Sequence, residues 1–325
     1  MNTIIENVTE EILDNPKLEN AMKNWQLLQM QSLPLEVKIQ KTKKRIEEWY
    51  EKYDGDVYVS FSGGKDSTVL LHIARSMYPD IKAVFVDTGL EYPEIRDFVN
   101  SIDNVTTIKP KMNFREVIEK YGYPVISKEQ AQYIQQYRNA KSEKTKETRM
   151  NGNKWGQGKI SEKWKYLLYA PFKISEQCCN IMKKNPAKKF EKETGLKPII
   201  GVMAYDSSKR MQDYLKFGCN AFNAKRPISK PIGFWTEQDI LLYLKMYKIQ
   251  YASVYGELKY KEENRELYFT GCNRTGCMWC MFGCHLEKGV NRFQRMKLTH
   301  PKIHNYCIHN LGLGVVLDYI NVKYE

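Results

Sequence analysis

The feature that most restricts the fold is a junction between two kinds of periodicity. Val57-Tyr58-Val59-Ser60-Phe61 has the β-branched and aromatic character of a short strand, stops at Ser62-Gly63-Gly64, and gives way to helical spacing from Ser67 to Met77. A strand that passes straight into a helix needs a second strand beyond it, and Ala83-Val84-Phe85-Val86 supplies one. The alternation continues. Pro93 suits the first turn of a helix running through Val99, Val105 to Ile108 reads as a third strand, and Pro198-Ile199-Ile200-Gly201-Val202 as another. Short apolar strands alternating with helices predict an α/β fold, a doubly wound, Rossmann-like parallel sheet with right-handed crossovers. Ahead of it, Val37, Ile39, Ile46, Trp49 and Tyr50 recur at helical spacing between Leu35 and Tyr53. Further on, Thr236 has the oxygen to cap a helix through Tyr247, with Glu237 and Asp239 at its positive end. The expected organisation is an N-terminal helical segment (1–54), a nucleotide-binding-type α/β domain (55–250) and a Cys-rich C-terminal region (251–325) packed over one end of the sheet.

Composition narrows the partners. The chain has 325 residues, 42% of them hydrophobic and 27% charged, so it can bury a large core. No run of eighteen apolar residues exists to cross a membrane. The acidic start, Met1 to Asn20, lacks the basic and apolar regions of a secretory signal, so a cytoplasmic location is expected. A net charge of +13 favours anionic partners, nucleotides first and nucleic acid second. Part of the surplus is local. Arg138 to Lys165 holds nine Lys or Arg and three Glu with interspersed glycines, and reads as a long, mobile, basic insertion.

The junction also carries chemistry. In Ser60-Phe61-Ser62-Gly63-Gly64-Lys65-Asp66-Ser67-Thr68 the two glycines remove Cβ atoms that would hold backbone N–H groups away from a phosphate. The helix that follows adds unpaired N–H groups and the positive end of its dipole. Lys65 offers a point charge, and Ser62 and Ser67 offer hydroxyls. Asp66 repels a phosphate, so its expected job is to hold Mg²⁺. The Walker pattern is excluded, because Lys65 is followed by Asp66 and position 59 is valine. Asp87-Thr88-Gly89-Leu90-Glu91 follows the second strand. In an open α/β sheet, ligands lie outside the carboxyl ends of strands, so this segment and the glycine turn are expected to face one cleft. Asp87, Thr88 and Glu91 are then candidates for ribose, base or metal contacts. An acid-rich helix start is the competing explanation.

Eight cysteines in a reducing compartment point to metal or redox chemistry rather than disulfides. Cys178-Cys179 is a tandem pair. A hundred residues later come Cys272, Cys277, Cys280 and Cys284, with Cys277-Met278-Trp279-Cys280 forming a hairpin that lets two thiolates converge. Four ligands are completed either by this hairpin with the tandem pair or locally by Cys272, Cys277, Cys280 and Cys284. Cys219 and Cys307 are isolated and expected to be buried. His72 reads as a core residue, and His300, His304 and His309 are given no role.

Taken together, residues from about 55 to 310 resemble the phosphoadenosine-phosphosulfate (PAPS) reductase family. Ser62-Gly63-Gly64-Lys65-Asp66-Ser67 is similar to the pyrophosphate loop of the ATP-pyrophosphatase superfamily, which implies an adenine-nucleotide-alpha-hydrolase-like fold and bound ATP. The segment from Asp87 resembles its counterpart in ATP sulfurylases and PAPS reductases. The tandem cysteines with Lys183, Lys184 and Pro186, then Thr275-Gly276-Cys277 with Cys280, resemble adenylyl-sulfate reductases that carry a 4Fe–4S cluster. That resemblance implies Cys178, Cys179, Cys277 and Cys280 as ligands, with Lys183, Lys184 and Arg274 offsetting the cluster's charge. Gly201 to Arg210 resembles the family's substrate segment, which implies that Arg210 pairs with phosphate or sulfate oxygens. Gly233 to Asp239 also matches, and Trp235 and Asp239 read as architectural.

Two departures bear on activity. Sulfonucleotide reductases usually lack the intact Gly-Gly-Lys-Asp present here. They also use a thiol in a late Glu-Cys-Gly-Leu-His segment, whereas the late thiol here, Cys307, lies in Asn305-Tyr306-Cys307-Ile308-His309. The combination resembles the ATP-pyrophosphatase component of DNA phosphorothioation systems and, more distantly, tRNA thiolases. This implies an ATP-dependent sulfur transferase with Lys65, Asp66 and Arg210 in catalysis, a nucleotide or nucleic-acid acceptor, and a sulfur-donor protein such as a cysteine desulfurase. The alternatives are a reductase of PAPS or adenylyl sulfate, and a nucleotide-binding regulator without turnover.

Overall fold

The computed structural model describes residues 22–325; residues 1–21 of the expected N-terminal segment, its acidic start included, lie outside the described residues. The main sheet has six strands, β1 (Val57–Ser60), β2 (Lys82–Val86), β3 (Val105–Ile108), β4 (Lys197–Ile200), β5 (Asn220–Ala221) and β6 (Ile228–Ser229), in the spatial order β3-β2-β1-β4-β6-β5. β1 runs parallel to β2 and to β4, and β4 parallel to β6, while the short β5 is antiparallel to β6. The expected α/β fold, a mostly parallel sheet with flanking helices, is the one the chain adopts. Strand order reverses between β1 and β4. The chain moves outward from β1 to β3 and resumes at β4 on the other side. The carboxyl ends of β1 and β4 therefore form the switch point of the sheet.

By internal contacts the chain divides into two compact units interleaved along the sequence. The first comprises residues up to 85, 93–107 and 190–274; the second comprises 86–92, 108–189 and 275–325. In the first unit Val57, Tyr58 and Val59 of β1 are buried beside Ile199 of β4 and Ala83 and Val84 of β2. Tyr58 keeps its hydroxyl satisfied by donating to Glu191 at 2.9 Å, and Arg226 in turn donates through Nε to Glu191 at 2.7 Å.

The amphipathic helix is present as Leu35–Lys52, but its buried face differs from the one expected. Leu35, Lys38, Ile39, Thr42, Ile46 and Trp49 line the buried side, and Val37 is 41% exposed. Two polar residues hid the stripe, and both have partners. Lys38 pairs with Asp239 and donates to the Gln31 carbonyl, each at 2.6 Å. Thr42 accepts from Trp235 Nε1 at 2.9 Å. Thr236 caps the helix Glu237–Met246, with Asp239 answering through the Thr236 N–H at 2.7 Å. Trp235 and Asp239 are thus the architectural residues they were expected to be.

The second unit corrects one expectation. The basic stretch 138–165 is folded rather than mobile. It runs from the end of the helix Lys128–Asn139 through the helix Glu143–Asn151 to a tighter helical stretch, Glu162–Tyr169, and it buries Ile160, Trp164 and Leu167. The sequence misled because two of its charges are internal struts. Arg138 donates to the carbonyls of Leu168 (3.0 Å), Phe172 (2.7 Å) and Ala170 (2.9 Å). Arg149 donates to Gly158 O at 2.6 Å and Gln136 Oε1 at 2.8 Å. Among the described residues no helix is long and apolar enough to cross a membrane.

Candidate functional site

The glycine turn lies in the first unit, at the switch point. The helix after β1 begins at Lys65, two residues earlier than the spacing implied, so Lys65 and Asp66 occupy its first turn. Gly63 is required twice over. Its φ is +71°, and a Cβ there would lie 2.7 Å from Val99 Cγ2 and 2.8 Å from Ile95 Cγ2. The turn is held by its serines. Ser67 Oγ accepts from the Ser62 N–H at 3.1 Å and donates to Gly64 O at 2.9 Å, and the two serine hydroxyls are 3.0 Å apart. The exit of β4 closes in beside it, since a Cβ on Gly201 would come within 3.1 Å of the Ser67 backbone. Ser60 ends β1, half-buried.

Lys65 is buried, 4% exposed, which costs free energy unless its charge is paired. Its ammonium stands 3.2 Å from Asp66 Oδ1 and 3.3 Å from Glu237 Oε1, and its backbone N–H donates to the Tyr255 hydroxyl at 2.9 Å. Burial works against the Lys65 charge, yet Asp66, Tyr255 and Glu237 raise its pKa above the usual lysine value. Burial also pushes the Asp66 carboxyl upward; Lys65 opposes that shift and Asp206 adds to it. Despite the ion pair, Asp66 Oδ1 is a buried acceptor without an aligned hydrogen-bond donor. A hard divalent cation satisfies such an oxygen, so Asp66 fits the Mg²⁺ role.

Arg210 sits on the first turn of the helix Ser208–Phe217, capped by Ser207. It pairs with Asp206, whose other oxygen lies 3.3 Å from Arg274 Nη2. Asp206 is almost enclosed while both arginines are about half exposed. The two guanidiniums therefore stand at the surface, on a carboxylate that also faces Asp66.

The segment after β2 and the thiols lie in the second unit. There Thr88 and Glu91 are tied to each other. Thr88 donates through its N–H (3.0 Å) and its hydroxyl (2.7 Å) to the Glu91 carboxylate, and Asp87 Oδ1 accepts from the Gly89 N–H at 3.1 Å. Glu91 also pairs with Lys183 at 3.6 Å. Lys183 lies in a wide π-helical turn, Asn180–Lys184, directly after the tandem cysteines. Such turns concentrate at functional sites.

The four thiols named by the resemblance share one electrostatic neighbourhood. Burial, then the charges of Cys179, Cys277 and Cys280, push the Cys178 thiol far up. Burial pushes Cys277 up to about 11, opposed by Lys183, which hydrogen-bonds to it. Burial raises Cys280 as well, and Arg292 opposes that shift while its Nη1 donates to the Cys280 carbonyl at 2.8 Å. Burial acts against the Lys183 ammonium too, but Cys277 and Glu91 raise it on balance. Cys272 belongs to the first unit and donates to the Arg274 carbonyl at 2.9 Å; Cys284 donates to the Met281 carbonyl at 3.1 Å. Among the described residues no three His, Cys, Asp or Glu side chains converge on a point as a single ion requires. Thiols grouped around one ammonium are nonetheless donors that a cationic multinuclear centre can convert to thiolates, with ligands spread around it.

Residues 56–282 match the family described as the phosphoadenosine phosphosulfate reductase domain. The chain belongs to that family. An uncharacterized protein of Methanocaldococcus jannaschii is 27% identical over 286 residues, 83% of this chain and 46% of that one. The chain spans about half the length of the curated relatives it matches first, at 46% and 52%. A phosphoadenosine 5'-phosphosulfate reductase of Vibrio parahaemolyticus is 22% identical over 253 residues, 76% of this chain and 81% of that one. Among solved structures, a U34-tRNA thiolase from Methanococcus maripaludis with its 4Fe–4S cluster superposes with a TM-score of 0.35 at 14% identity, over 89% of this chain and 82% of that one. The expected family is confirmed, and the reaction is a separate matter.

Four residues of the loop's surroundings escaped the sequence. Asp206 stood inside the segment that named Arg210, and its acidity close to a phosphate-type loop was the available signal. In sequence Glu237 looks only like a dipole complement, and Arg274 only like an offset to cluster charge. Tyr255 gave no signal, because it reaches Lys65 from 190 residues away.

Proposed function

We propose that the protein is an ATP-dependent sulfur transferase, forming AMP and pyrophosphate, that acts on nucleic acid or a nucleotide. The observation that carries the proposal is the intact turn at the switch point, with a buried, charge-paired Lys65 beside an Asp66 oxygen that has the ammonium at 3.2 Å but no aligned hydrogen-bond donor. An oxygen of the acceptor attacks the α-phosphorus of ATP, and the bond to the pyrophosphate oxygen breaks with its electron pair. Lys65 and the N–H groups of the first helical turn stabilise the charge that develops on the departing pyrophosphate, and Asp66 holds Mg²⁺. Arg210 orients an anionic group of the substrate. AMP then leaves with the acceptor's oxygen as a sulfur nucleophile at the oxidation level of sulfide adds, so no net electron transfer occurs on the acceptor. A donor protein of the cysteine desulfurase type, with a thiol reductant, supplies that sulfur. Cys178, Cys179, Cys277 and Cys280 would hold a 4Fe–4S cluster, a group that offers iron as a binding site for sulfur.

The test is pyrophosphate release from ATP by anaerobically prepared protein given a nucleic-acid acceptor. Lys65→Ala and Asp66→Ala are each expected to lower it by about 10²–10³-fold. A preparation that releases no pyrophosphate but forms sulfite from adenylyl sulfate would sink the proposal in favour of the second reading, a sulfonucleotide reductase. That second reading has the family name on its side. Against it, the late thiol Cys307 is wholly buried and pushed up to about 12 by that burial, unfit as a nucleophile at neutral pH.

A further inference from the structure

Within the second unit a cavity of about 210 Å³ is lined by Thr88, Leu90, Phe114, Arg115, Trp279 and Tyr306 among others. Three of its walls are aromatic. Phe114 and Trp279 meet edge to face at 5.8 Å and 65°, and Trp279 and Tyr306 meet at 5.8 Å and 56°. These angles keep the rings from stacking on one another. Trp279 lines the cavity with its ring, while its Nε1 is itself buried and has no acceptor among the described residues. The exposed Arg115 lies 5.8 Å over the Tyr306 ring and donates to its hydroxyl at 3.5 Å. Lys109 and Lys111 are exposed just before it in the chain.

Size decides what can enter. Pockets for whole drug-sized ligands run to about 300–1,000 Å³, so this one takes a single planar ring and leaves its substituents outside. A slot walled by aromatic rings, sized for one planar ring and edged by the Arg115 guanidinium, suits a nucleobase carried on a phosphate chain. We infer that the cavity receives one unstacked base of a single-stranded nucleic acid, packed against its aromatic rings, with a neighbouring phosphate on Arg115. The inference rests on the sulfur-transferase reading, whose acceptor it specifies as a base turned out of its stack.

The test is fluorescence anisotropy with fluorescein-labelled single-stranded RNA and DNA oligonucleotides and matching abasic strands, over a series of salt concentrations. Tyr306→Ala and Trp279→Phe are each expected to weaken binding about tenfold, with folding checked by circular dichroism. Abasic strands should bind weakly and equally to wild type, Tyr306→Ala and Trp279→Phe, and more weakly still to Arg115→Ala, which removes a phosphate contact. Arg115→Ala should shrink the salt slope by about one, which Tyr306→Ala leaves unchanged. ATP affinity, from equilibrium dialysis, should be the same in every variant. Equal affinity of wild type for intact and abasic strands overturns the inference, and so does loss of ATP binding in Tyr306→Ala, which would put adenine in the cavity. Base-dependent binding without any pyrophosphate release would leave this site standing and remove only the sulfur-transfer reading.

Discussion

At the scale of single residues the molecule spends free energy to keep particular groups in place. Gly63 adopts a φ of +71° against two branched side chains, so Gly63→Ala is strained in both backbone and packing. Its expected cost is about 1–3 kcal/mol, seen as a lowered thermal midpoint together with weakened ATP binding. A variant of unchanged midpoint and ATP affinity would show that the turn tolerates a different geometry. This part of the site was legible because its six residues are consecutive and flanked by two periodicities. Asp206 and Tyr255 were not, because their relation to Lys65 and Asp66 is made by the sheet and not by spacing along the chain. The distant thiols stand out as candidates only because tandem and hairpin cysteines are conspicuous in themselves.

Between elements, polar contacts do work that a hydrophobic pattern does not reveal. Lys38 is 2% exposed and joins the helix Leu35–Lys52 to the helix that Asp239 opens. Removing one member of a buried pair strands the other, so Lys38→Ala should cost about 3–5 kcal/mol by denaturant unfolding. A loss below 1 kcal/mol would mean that the pair is solvated. The apolar spacing reveals the helix but misplaces its buried face, since a rule that seeks apolar residues passes over a buried lysine and threonine.

His72 contributes a pH dependence on the same side of the sheet. Its ring contacts the Tyr243 hydroxyl at 2.8 Å, and burial first, then Lys43, hold its pKa below 6.5. Because the folded pKa is the lower one, the unfolded chain takes up the proton first as acid is added. The stability contributed by neutral His72 is whole above about pH 6.5 and is lost as pH falls through the folded value. Thermal midpoints of His72→Gln should therefore fall less steeply below pH 6.5 than those of wild type; parallel curves would exclude the residue as the source.

For the whole molecule the decisive measurement is iron. Protein prepared without oxygen should lose iron and visible absorption in each of Cys178→Ser, Cys179→Ser, Cys277→Ser and Cys280→Ser, and keep both in Cys219→Ser and Cys307→Ser. Retention in Cys178→Ser with loss in Cys272→Ser would move the centre to the local cysteine run. Stoichiometric zinc in place of iron would exclude the cluster. The α/β architecture could be read in advance because each strand and helix declares itself locally. The folded state of residues 138–165 could not, because arginines that satisfy buried carbonyls look in sequence like any other basic residues.

The chain passes between its two compact units five times. Neither unit is a continuous segment, so no single cut can release one of them as a clone that folds alone. The tandem cysteines also leave the ribosome well ahead of the hairpin that shares their neighbourhood. With roughly a hundred residues still to be made, the interval is about 5–20 s at ordinary elongation rates. Through that time Cys178 and Cys179 are bare thiols on a nascent chain, and any inorganic centre has to be fitted after residues 277–280 have emerged. A centre held by all four of those thiols would therefore be completed late, after both compact units had received most of their residues.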